Sequence, residues 1–156
     1  MLSKSQEKYL LQTYFNTKNN KNIPAHISQF GVPDGDTTDE TLFFITKYVK
    51  AIDRLVLRGS YVTEEGLQLL KKLEQVYYLD LGSMALHDGN LDCILHLHQL
   101  EYLYIKHTNI TVKGIYRLLH TFTGLQTLVA NIKPEDELIV APWHEEFPNC
   151  ELTLSL

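Results

Sequence analysis

Cysteine is scarce in this 156-residue sequence, with only Cys93 and Cys150. Two thiols do not make the framework of a disulfide-stapled scaffold. The repeat described below sets them two units apart, on different sides of the molecule, beyond disulfide reach. Two free thiols and a reducing compartment, the cytoplasm, are therefore predicted. Arginine is also late to appear, the first being Arg54. No transit peptide is expected, and polar residues interrupt every early apolar stretch, so no secretory signal is expected either. No apolar run reaches the length of a membrane span, which predicts no membrane insertion. The densest basic spot is Lys71-Lys72 on a chain of net charge −5. Duplex binding needs a basic stripe to neutralise phosphates, so nucleic acid is not an expected partner.

Catalytic signatures are missing as well. There is no G-x-S-x-G, P-loop, H-E-x-x-H or glycine-rich dinucleotide loop; the expectation is a protein that is not an enzyme and takes no cofactor. Cys93, His96 and His98 spell C-x-x-H-x-H. The two histidines flank Leu97 in opposite directions, so convergence on one ion is not expected, and no metal is predicted. Trp143-His144-Glu145-Glu146 sets a base beside two acids. Adjacent helical residues do not face each other, and the stretch is read as a core tryptophan followed by a solvated helix face.

What the chain does have is a period. Ile52-x-x-Leu55-x-Leu57 is followed by Val62, Leu67, Leu70 and Leu73. The same slots return 24 residues on as Val76, Leu79, Leu81, Leu86, Leu91, Ile94 and Leu97, and again as Leu100, Leu103, Ile105, Ile110, Ile115, Leu118 and, 25 residues after Leu97, Phe122. Weaker units open at Ile27-x-x-Phe30-x-Val32 and Leu125-x-x-Leu128-x-Ala130. The first part of each unit alternates with period two, as a strand does; the second has helical spacing. Thr38-Asp39-Glu40 and Thr63-Glu64-Glu65 read as N-caps with acidic first turns. One unit cannot bury its own apolar face, but stacked units share a continuous core.

These units resemble leucine-rich repeats of the ribonuclease-inhibitor-like class. The resemblance implies an α/β right-handed solenoid, with a parallel sheet on the concave face and short helices on the convex face. Residues 1–26 are expected to form an N-terminal helical cap and linker, opened by the capping box Ser3-x-x-Gln6. Residues 27–156 form the repeat domain, with units starting near 27, 52, 76, 100 and 125 and a closing strand over 150–156. The sequence departs from the usual Asn or Cys at the ladder position, which holds Ser60, Met84 and Thr108. Met84 cannot donate to the turn, so a looser second turn is expected.

Residues between the inward leucines define outward columns. One is Gln29, Arg54, Tyr78, Tyr102, Thr127; the next is Gly31, Val56, Asp80, Tyr104, Val129; a third is Pro33, Arg58, Gly82, Lys106, Asn131. The expected partner-binding patch is Arg54, Arg58, Tyr78, Asp80, Tyr102, Tyr104, Lys106 and His107. Tyrosine and arginine combine large area with a polar handle, the profile of interface hot spots. The expected function is protein–protein interaction through the concave face. An immunity or inhibitor protein is one form, with the acidic balance suiting a basic partner. The alternative is a structural subunit or assembly factor like the mitochondrial ATP synthase coupling-factor repeat proteins, which would place the chain in the matrix. An enzyme is the remaining alternative. The closing strand leaves a free sheet edge through which residues 150–156 could pair with another chain.

Overall fold

The computed structural model describes residues 2–156. Six parallel strands form one sheet in chain order: β1 (His26–Phe30), β2 (Ala51–Val56), β3 (Gln75–Asp80), β4 (Tyr102–Tyr104), β5 (Thr127–Asn131) and β6 (Glu151–Ser155). The pairing follows the sequence period. Leu55 stands opposite Leu79, Leu79 opposite Leu103, Leu103 opposite Leu128, and Leu128 opposite Leu152. The sheet is open, and β6 lies at its edge with β5 as its one neighbour.

Connections between strands carry the helices, and their length follows the spacing of the leucines. Leu42, Ile45 and Val49, and likewise Ile115, Leu118 and Phe122, are spaced three then four apart. That suits 3.6 residues per turn, and these segments form ten-residue helices, α2 (Asp39–Tyr48) and α4 (Val112–Thr121). Leu67, Leu70 and Leu73, and Leu91, Ile94 and Leu97, are spaced three and three. That is the 3₁₀ repeat. The first set gives a single α-turn, α3 (Glu64–Leu67), running into a 3₁₀ stretch over Gln68–Lys72. The second gives no α-helix, only a 3₁₀ turn at Leu91–Cys93. A helix expected for every unit is thus corrected for the unit opening at Val76. Buried Asn90 holds that loop instead, accepting from the His87 N–H at 2.9 Å and donating to the Ala85 carbonyl at 2.8 Å. After β5 come α5 (Glu137–Val140) and α6 (Trp143–Glu146), with Trp143 in the core and His144 and Glu145 exposed.

The leucine slots of all units merge into one core, with Leu55, Leu57, Leu67, Leu70, Leu79, Leu81, Leu103 and Leu118 fully enclosed. Helix α1 (Lys4–Phe15) joins it at the β1 end. Its Ser3 capping box is closed by both reciprocal bonds, and it stops at Asn16 in the left-handed region (φ 47°). Leu10 and Leu11 are buried, Tyr14 packs on Phe30 and Phe15 on Phe44 at ring separations of 5.6 and 6.1 Å. Glu7 accepts from both Tyr48 and Lys47 of α2, and these bonds hold its carboxyl below the ordinary range.

Adjacent units are fastened at their helix starts by an acid of one unit and the capping residue of the next. Asp39 accepts from the Thr63 N–H and hydroxyl at 2.8 and 2.7 Å, and Asp88 from the Thr111 N–H and hydroxyl at 2.9 and 2.6 Å. Between them, Glu64 meets His87 Nε2 at 2.9 Å. Gly66 and Gly114 face the Asp39 and Asp88 carboxylates, and a Cβ at either position would collide with an oxygen. The turns after the strands also repeat: Asp34, Gly59, Ser83 and His107 are all left-handed, with φ of 54°, 66°, 57° and 58°. The turn at Met84 is no looser than its neighbour. Met84 N–H donates to Leu81 at 3.2 Å, as Ser60 N–H does to Leu57 at 3.1 Å.

Candidate functional site

The face of the sheet turned away from the core carries the tyrosine and arginine columns. Arg54, Tyr78 and Tyr102 stand opposite one another on β2, β3 and β4. Tyr78 and Tyr102 stack with ring centroids 4.2 Å apart and planes 3° from parallel, and the Arg54 guanidinium caps the other side of Tyr78 at 3.8 Å. Parallel register makes this column: side chains at equal offsets in neighbouring strands lie side by side. Burial and the neighbouring Tyr78 push the Tyr102 phenol up to about 12. The Arg54 guanidinium over the Tyr78 ring is a favourable cation–π arrangement.

A second group lies one step along the strands. Arg58 rests over the Tyr104 ring at 5.0 Å, with Gly82 of the intervening strand connection between them. A Cβ on Gly82 would sit 2.6 Å from Tyr104 Cε1 and 2.9 Å from Arg58 Cδ. The missing side chain is what lets the two converge. Below them Asp80 is 2% exposed. Its carboxylate accepts from the Gly82 N–H at 3.1 Å and lies 3.5 Å from Arg58 Nε. Burial raises the Asp80 pKa, and the Gly82 N–H, Arg58 and Arg54 pull in the other direction. Arg58 Nε is buried and makes no hydrogen bond.

The structure thus brings Arg54, Tyr78, Tyr102, Arg58, Asp80 and Tyr104 together in two adjoining groups. Two of the expected residues do not present a side chain with the rest: one is covered, the other lies apart. Asp80 lies beneath the surface as an anchor, because its strand position is roofed by Arg58 and Tyr104. His107 belongs to the left-handed turn beyond β4, where its N–H donates to Asn131 Oδ1 at 2.8 Å. Lys106 is half-exposed and forms no ion pair among the described residues. One contributor lies outside the expected patch. Gly82 makes room in the third column, a role signalled by a glycine set between Arg58 and Lys106. Val56 is buried although it belongs to an outward column.

The cysteine–histidine motif is dispersed. Cys93 is enclosed in the core, and burial pushes its thiol up to about 12. His96 Nε2 donates to the Leu73 carbonyl at 2.9 Å. Among the described residues, no three His, Cys, Asp or Glu side chains are grouped to hold a metal ion. Cys93 and Cys150 are both free, and no helix among the described residues is long and apolar enough to cross a membrane.

The class that these features define is an α/β protein with a six-stranded parallel sheet in chain order, backed by helices and not closed into a barrel. No family model matches the sequence, and no curated protein matches it. Among solved structures the chain is similar to one titled "Leiomodin-1 Actin-Binding Site 2 (ABS2)", with a TM-score of 0.53 and 17% identity, over 78% of this chain and 79% of that one. At this identity the likeness shows the fold alone.

Proposed function

We propose that this chain is a leucine-rich-repeat solenoid of the ribonuclease-inhibitor-like class, and that it binds a partner protein, without catalysis, through the sheet face bearing Arg54, Tyr78 and Tyr102. Support for the repeat reading comes from strand registers at 24- and 25-residue steps and from four left-handed turns at one repeat position. Support for binding comes from the stacked column itself. Two aromatic rings and a guanidinium already immobilised by mutual contact lose little further freedom on association. The similar solved structure is, by its title, an actin-binding site; a protein-binding role for this chain agrees with that.

Within this reading the chain acts as an inhibitor or immunity protein in the cytoplasm. The assembly-factor alternative draws on one observation, the unpaired outer edge of β6. Capture of host proteins on tagged chain, with a Tyr78→Ala/Tyr102→Ala/Tyr104→Ala variant in parallel, separates the two. A single stoichiometric partner lost by the variant supports the sheet face. A partner kept by the variant and lost on Leu154→Pro, which removes an N–H from the outer edge of β6 because the alternate residues 151 and 155 bond to the β5 side, supports β6 instead.

A further inference from the structure

The chain as a whole is acidic, and that alone suggests a basic partner. The proposed face has the opposite local character. The sequence contains three arginines, Arg54, Arg58 and Arg117, and two of them stand on this face. Arg54 makes no hydrogen bond or ion pair among the described residues; its guanidinium is held in place by the Tyr78 ring, so its N–H groups are left for an outside acceptor. Arg58 is fixed by Tyr104 and lies 3.5 Å from the Asp80 carboxylate, while its buried Nε goes without a hydrogen bond. Lys106 stands beyond it in the same column, across side-chain-free Gly82.

Apart from Asp34, the acids nearby are engaged or displaced. Asp80 is buried under Arg58, and Asp53 is 2.7 Å from His26. Asp34 lies against Gly59, next to Arg58, and its exposed carboxylate also acts on that guanidinium. Glu101 and Glu151 are at the N-terminal ends of β4 and β6, away from Arg58 and Lys106. Three further acids, Asp39, Glu64 and Asp88, work at the joints between units.

Resting on the protein-binding reading above, we propose that the occupant of this face is an acidic segment of the partner, whose carboxylates take the free N–H groups of Arg54 and Arg58 and pair with Lys106. A planar guanidinium pinned on an aromatic ring presents its fork in a fixed orientation, which suits a carboxylate. Base stacking on Tyr78 is disfavoured by geometry, because Arg54 and Tyr102 cover both of its faces.

The test is a titration of full-length, arginine-¹⁵N-labelled protein with decaglutamate, decalysine and a ten-nucleotide oligothymidylate, following the Nε–H signals by NMR. Decaglutamate should shift Arg54 and Arg58 saturably and leave Arg117 still. An Arg54→Gln/Arg58→Gln variant should bind it at least tenfold more weakly, and added salt should weaken the wild type in parallel. The proposal is overturned by the absence of saturable shifts, by an equal response at Arg117, or by tighter binding of decalysine or oligothymidylate. Its failure is separable from that of the underlying reading. A captured partner that needs Tyr78 and Tyr102 but is indifferent to Arg54→Gln/Arg58→Gln leaves a protein-binding face whose occupant is not acidic.

Discussion

Along β2 to β6 the two sides of the sheet are built from neighbouring residues, yet they obey different rules. The core side holds Leu55, Leu79, Leu103, Leu128 and Leu152, one residue type in one column. The other side, one step back, holds Arg54, Tyr78, Tyr102, Thr127 and Glu151, four residue types at the same register. Uniformity on the first side follows from a shared core, which asks every unit for the same shape. On the second side no shared packing demand exists, and what accumulates there is a stacked column, a guanidinium with an unmet donor and a carboxylate beneath it.

The sharpest way to break this contrast is to move charge across it. Leu79→Asp puts an unpaired carboxylate in the common core and should cost about 4 kcal/mol or more. Denaturant unfolding should show the cooperative transition lost or displaced far below wild type. The joints come next. Asp88→Ala frees the Thr111 N–H and hydroxyl from their acceptor and should cost about 1 kcal/mol, the usual worth of a helix cap. Chemical denaturation of the two proteins side by side measures it.

Gly82→Ala affects the outer side almost alone. The added methyl displaces the Tyr104 and Arg58 side chains, which have solvent to move into, so stability should change by less than about 1 kcal/mol. Partner affinity should nevertheless fall, and a binding isotherm beside a melting curve shows whether the two separate.

The smallest effect is electrostatic. Burial raises the Asp80 pKa above that of the unfolded chain. A raised carboxyl contributes its stability in full below the unfolded value and loses it as pH rises through the folded one. Asp80→Asn lacks this loss. The stability of Asp80→Asn relative to wild type should therefore increase across the carboxylate range, roughly pH 3 to 6. A flat difference would mean that Arg58 and the Gly82 N–H fully offset burial.

Much of this was legible from residues alone. The period located the strands, and the outward columns listed Arg54, Tyr78 and Tyr102 in the order in which they now stack. The helices were less legible because apolar spacing was read only as helical. The difference between three-three and three-four spacing, visible in Leu91-Ile94-Leu97 against Ile115-Leu118-Phe122, separates a 3₁₀ turn from a ten-residue helix. Asp80 was misplaced for another reason. Column assignment gives the direction of a side chain but not what covers it, and the cover comes from Arg58 in the turn after β2 and from Tyr104 on β4. Likewise the acid-to-cap joints link residues 23 or 24 positions apart, a relation that no local signal carries.

The most direct test of a protein-binding sheet face is the affinity of the captured partner for Tyr78→Ala/Tyr102→Ala, measured beside the thermal melt of the same variant. The account predicts a melt close to wild type, since stacked surface pairs contribute about 1 kcal/mol, together with a loss of affinity of about thirtyfold or more, as removal of hot-spot side chains gives. Unchanged affinity with an unchanged melt would contradict it, and would return the tyrosine column to a purely structural role between neighbouring strands.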